Sequence, residues 1–126
     1  ASTRVMVFFY SASWCAPCKE IGAALRETYP DFRNRAPGMQ IITYSVDASP
    51  RARADYLRDN PFPWPALGPA VIDEKPWRSK IAGGSPQFQA FAVEETQLRA
   101  ITPPGPVDEI VRAALVYLAS KRSDLQ

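Results

Sequence analysis

The sequence predicts an α/β fold, a mixed four-stranded sheet flanked by helices in the order β-α-β-α-β-β-α, and three observations carry that expectation. A fully apolar run, Val5 to Tyr10, stands near the start of the chain. A cysteine pair, Cys15 and Cys18, follows it at the head of a stretch with helical periodicity. A second β-rich run after that stretch closes a β-α-β unit, and strands joined in this way pair in parallel.

Val5-Met6-Val7-Phe8-Phe9-Tyr10 is β-branched and aromatic and too short for an ordinary helix, so it reads as a central strand buried on both faces. Ser11 to Trp14 is a short loop. The helix after it is expected from about Cys15 to Tyr29, with Ile21, Leu25 and Tyr29 on one face and Pro30 stopping or bending it. Met39 to Asp47 is the second strand. Ser49 offers an N-cap and Pro50 a first helical residue for a helix to about Asn60; its thin apolar set of Ala54, Tyr56 and Leu57 predicts a largely exposed element.

Residues 61–69 hold four prolines, which rules out regular helix and central strand and leaves a stiff loop. The alternating run Pro86 to Val93 is a third strand, turned by Glu94 and Glu95 into a fourth from Gln97 to Thr102, with Leu98 and Ala100 facing one way and Arg99 the other. Gly105-Pro106 opens the last helix. Val107, Ile110, Val111, Ala114, Leu115 and Leu118 form its stripe toward the sheet, and Ser120 to Gln126 reads as a frayed tail.

At 126 residues and 46% hydrophobic content, residues 1–126 make one domain able to bury a core of its own. Net charge is only +2, with arginines interleaved among aspartates, so nucleic-acid binding is not indicated. No apolar run approaches the roughly 20 residues of a membrane-spanning helix. Histidine is absent, which removes the commonest metal ligand and the commonest general base together. A structural zinc site needs about four Cys or His ligands, and two cysteines do not supply them. No metal or cofactor is expected beyond the cysteine pair itself.

A bridge between residues three apart closes too small a loop to constrain the unfolded chain, so the pair is there for reactivity or for metal, and the ligand count disfavours metal. A strand–C-x-x-C–helix arrangement inside a β-α-β unit has the form of a redox motif. Unpaired N–H groups and the positive end of the helix dipole stabilise a thiolate at Cys15, which becomes the attacking sulfur. Cys18, one turn further in, is shielded from substrate and close enough to close the disulfide, so it resolves the mixed disulfide.

At Phe8-Phe9-Tyr10-Ser11-Ala12-Ser13-Trp14-Cys15-Ala16-Pro17-Cys18-Lys19 the sequence resembles the thioredoxin superfamily, and within it the tryparedoxin, nucleoredoxin and TlpA-like branch. The element order is that of a minimal thioredoxin-like fold. The resemblance implies that Gly84-Ser85-Pro86 carries a cis-proline facing the cysteines, that Pro86 keeps metal from the sulfurs, and that the backbone of Ser85 pairs with substrate as an added strand. It also implies that Trp14 covers the active-site surface, with Ala16 and Pro17 among the substrate-binding residues, and Ala16-Pro17 resembles the Gly-Pro of reducing thioredoxins, which favours a reductant. Trp64, in Pro63-Trp64-Pro65, is either a substrate platform or a plug over the sheet edge, and the plug is favoured.

The departures are specific. Phe9 stands where thioredoxin keeps a buried Asp, which leaves Glu20, Asp73 and Glu74 as substitute proton acceptors for Cys18. Ala23 replaces a kinking proline, and Ser85 stands where Ile, Val or Thr is common. The expected function is a thiol–disulfide oxidoreductase acting on protein disulfides, as reductant rather than oxidant, served by an upstream redox partner. A monomer in the bacterial periplasm is expected from the start at Ala1 and the TlpA-like kinship, with the cytoplasm as the alternative. Two other readings stand beside it: a binding module docking a partner through the Trp64 loop, with weak or regulatory redox activity, and a peroxidase using Cys15 alone.

Overall fold

The structure, a computed structural model, describes residues 3–47, 49–67, 87–95 and 97–124. Its elements are β1 (Val5–Ser11), α1 (Ala16–Arg35), β2 (Met39–Ser45), α2 (Pro50–Asp59), β3 (Gln87–Glu94), β4 (Gln97–Ala100) and α3 (Val107–Asp124). The order is the expected β-α-β-α-β-β-α. The sheet runs β2-β1-β3-β4, with β1 and β2 parallel and the pairs β1/β3 and β3/β4 antiparallel.

Alternation along β1 splits the core in two. Val5, Val7 and Phe9 face the side on which α1 and α3 pack, bringing Ile21, Leu25, Tyr29, Ile110, Ala114 and Leu118 against them. Phe8 and Tyr10 face the other side, in an aromatic cluster with Ile42, Tyr44 and Phe91. Both faces are therefore apolar, which is why the run reads as continuously hydrophobic. Gly22 is where α1 comes down on this core: a Cβ there would lie 3.1 Å from Cε1 of Phe62, tighter than packed atoms accept without a shift.

Two expectations about the helices are corrected, and that of a largely exposed α2 is refined. α1 does not stop at Pro30 but runs through it to Arg35. Pro30 is exposed, so water can serve the carbonyl it leaves unpaired, while half-buried Phe32 packs on the core and Arg33 donates to the carbonyls of Pro37 and Met39. α2 is capped by Ser49 as expected, its Oγ accepting from Ala52 N–H at 3.0 Å. It nevertheless buries Arg53 and Tyr56, which use polar tips to tie it down, a mode of burial that counting apolar side chains overlooks. Residues 120–124 belong to α3 rather than to a tail, and residues 125–126 lie outside those described.

The proline-rich loop is extended and lies along the outer edge of β2. Thr43 N–H donates to the carbonyl of Pro65 and Leu67 N–H to that of Thr43, each at 3.0 Å. At the other side Glu95 takes the left-handed backbone (φ 40°) at the expected turn. β4 ends at Ala100, two residues early, and Gly105 then exchanges two backbone hydrogen bonds of 2.8 Å with Phe88. Among the described residues no helix is long and apolar enough to cross a membrane.

Candidate active site

β1 delivers the chain to Ser11, and the turn that follows is closed by Cys15 N–H donating to the carbonyl of Ala12 at 3.2 Å. Cys15 is then the N-cap of α1. Its backbone is extended (φ −95°, ψ 100°), and its Sγ accepts the N–H of Cys18 at 3.2 Å. Pro17 sits in the first turn, where a missing N–H costs nothing. A sulfur therefore occupies the place of a capping oxygen, with a helix N–H aimed at it, the environment that favours a thiolate.

Cys15 and Cys18 are joined as a disulfide, with Cα atoms 5.3 Å apart. Cys15 is 4% exposed and Cys18 fully buried, so such access as there is falls to Cys15. Trp14 beside it is 63% exposed and Ala16 and Pro17 are exposed as well, forming the surface around the sulfur. Phe9 gives the site an apolar floor, stacked on Phe88 at 4.8 Å and edge-on to Phe62. Glu20 is exposed on α1. Ser85 and Pro86, with Gly84, Asp73 and Glu74, lie outside the described residues, so the cis-proline and two of the three substitute acids are not placed.

Trp64 is turned inward. It is 4% exposed, its Nε1–H donates to Thr43 Oγ1 at 2.7 Å, and its ring stacks on Phe62 at 5.1 Å and tilts against Tyr29. The indole therefore packs into the core cluster.

The sequence reading missed the polar brace behind Cys15. Asp47, just past the end of β2, is 2% exposed. Its carboxylate accepts Ser13 Oγ–H at 2.6 Å, Ser13 N–H at 3.2 Å to each oxygen, and Ser45 Oγ–H at 2.7 Å. Buried Arg53 of α2 donates to the Asp47 carbonyl at 2.9 Å, and Tyr56 donates to Ser11 Oγ at 3.0 Å. Burial raises the Tyr56 phenol above its ordinary value, and the Asp47 charge adds to this, while the Ser11 hydrogen bond and Arg26 oppose it. One signal could have found Asp47: an acid at the carboxyl end of a parallel strand, where open α/β sheets place functional groups. Beside the brace a polar cleft of about 520 Å³ is lined by Ser13, Lys19, Asp55, Tyr56 and Asn60, among others. Among the described residues no cluster of three or more His, Cys, Asp or Glu side chains could hold a metal ion.

Comparison with known proteins gives the same picture. Residues 1–68 match the model of the AhpC/TSA family. Probable nucleoredoxin 3 of Oryza sativa subsp. japonica is 38% identical over 64 residues, covering 51% of this chain and 13% of that protein. The chain thus spans about an eighth of the length of that relative. Native tryparedoxin I from Crithidia fasciculata superposes with a TM-score of 0.63 at 23% identity, over 90% of this chain and 73% of the other. Thioredoxin from Wuchereria bancrofti does so with a TM-score of 0.61 at 18% identity, over 95% and 83%. At these identities the superpositions establish the thioredoxin-like fold.

Proposed function

This chain belongs to the AhpC/TSA family, within the thioredoxin superfamily, and on that footing we propose that it reduces protein disulfides through Cys15 and Cys18. The observation that carries the reading is the Cys18 N–H held 3.2 Å from Cys15 Sγ at the head of α1. Likeness to proteins named nucleoredoxin and tryparedoxin supports thiol oxidoreductase chemistry in general terms.

The cycle begins with the reduced pair. Cys15 thiolate attacks one sulfur of a substrate disulfide; a mixed disulfide forms and the other substrate sulfur leaves as a thiolate. Cys18 then attacks Cys15 Sγ, its proton passing to the departing thiolate; the first substrate thiolate takes a proton from water, and the substrate is released as a dithiol. Two electrons have moved to the substrate, and the protein is left with the Cys15–Cys18 disulfide for an upstream dithiol donor to reduce. Substrate docks against the surface made by Trp14, Ala16 and Pro17. No cofactor enters. The docking-module reading draws no support from Trp64, whose indole faces the core.

The test is insulin reduction with a dithiol donor. Wild type is expected to turn over, Cys15→Ser to show none, and Cys18→Ser to accumulate the mixed disulfide. Equal turnover by wild type and Cys15→Ser would sink the proposal. Peroxide consumption without an added disulfide would instead point to a peroxidase.

A further inference from the structure

We propose that Asp47 is a positioning residue for the nucleophile: its buried carboxylate fixes the Ser13–Cys15 segment so that Cys15 Sγ stays on the Cys18 N–H. The inference rests on the thiol chemistry proposed above and assigns a residue outside the C-x-x-C motif to it.

Three donors converge on this carboxylate: the N–H and O–H of Ser13 and the O–H of Ser45. A group meeting three donors at once must be an acceptor on both oxygens, which an ionised Asp is and an amide is not. Burying a carboxylate is unfavourable unless such bonds compensate it, so the site is organised around it. The anchor is itself anchored. β1 and β2 stay paired to their ends, Ser11 opposite Ser45, with Val46 N–H donating to the Ser11 carbonyl at 2.8 Å.

α2 adds two ties, Arg53 to the Asp47 carbonyl and Tyr56 to the Ser11 hydroxyl. The loop is gripped at residue 11 and again at residue 13. Only Trp14 then separates the second grip from Cys15, which leaves the cap sulfur little freedom to swing off the helix axis. Reactivity in such a site is sensitive to small displacements: a misplacement of about 1 Å can cost about 100-fold in rate.

The experiment measures the pH midpoint of Cys15 alkylation by iodoacetamide in the reduced Cys18→Ser background, alongside insulin-reduction kcat/KM in the parent background. Asp47→Ala is expected to raise the midpoint toward the free-thiol value of about 8.5 and to lower kcat/KM by about 10-fold or more. Loss of the negative charge alone would move the midpoint down, so an upward shift reports lost positioning. Asp47→Asn keeps one accepting oxygen for Ser13 but turns an NH2 toward the remaining donors, and is expected to lower kcat/KM by less than Asp47→Ala does, with a midpoint below that of Asp47→Ala.

Ser13 is exposed, so Ser13→Ala folds whatever happens to Asp47→Ala; it is expected to raise the midpoint and to add nothing in the Asp47→Ala background. An unchanged midpoint in Ser13→Ala, or equal downward shifts in Asp47→Ala and Asp47→Asn, would overturn the assignment. Alkylation needs no disulfide substrate, so this result stands or falls apart from that of the insulin assay.

Discussion

A buried indole N–H needs an acceptor, and for Trp64 it is the hydroxyl of Thr43 at 2.7 Å. Thr43→Val nearly preserves shape and leaves that donor unsatisfied, which costs about 1–3 kcal/mol. The expected result is a lower urea midpoint with an unchanged slope. Trp64→Phe in the same background should recover part of the loss, because the orphaned donor is gone. At this scale the cysteines were legible because their chemistry is local: spacing and helix start are both written within four residues. Asp47 was not, since its meaning lies in a bond to Ser13 across 34 positions. Arg53 reads as one more charge among surface arginines until α2 turns it inward.

The elements were legible wherever an apolar pattern decides burial, as in β1, β2 and α3. They were misjudged where a single residue type was allowed to overrule packing. Pro30 illustrates this in α1: a proline inside a helix removes one hydrogen bond and crowds the preceding turn, yet the helix continues because Phe32 and Arg33 hold its last turn. Pro30→Ala restores the missing donor at an exposed position. It is expected to stabilise the protein by about 2 kcal/mol, the helix gain outweighing the added freedom of the unfolded chain. Thermal unfolding would show this as a rise of several degrees in Tm, and a fall would mean that the helix is built around the proline.

Over the whole molecule, the sheet order follows from chain connectivity, and the composition of β1 already required two covered faces. The composition did not show how much phenol the fold takes out of water. Burial raises the Tyr10 hydroxyl well above its ordinary value, with Tyr44 adding to the effect, and burial also raises Tyr56. The folded chain then keeps protons that the unfolded chain gives up from about pH 10. The stability tied to these groups is therefore whole below about pH 10 and is lost as pH rises through the raised values. Denaturant midpoints measured from pH 8 to 11.5 should hold to about pH 10 and decline beyond it, and Tyr10→Phe should flatten that decline. Absorbance at 295 nm should show these tyrosines ionising only as the fold opens.

The sulfur of Cys15 stands where a helix wants an oxygen. In the chemistry proposed above the reduced sulfur is an anion receiving an N–H; oxidised, it is one half of a neutral bond and a poorer acceptor. The first turn of α1 is thus better capped in one redox state than in the other, and that difference in folding free energy is the same quantity as a shift in the potential of the pair. Electron affinity in this protein is therefore partly a property of a helix end. Whatever tightens the start of α1 makes the disulfide easier to reduce, and whatever frays it makes the dithiol the stronger donor.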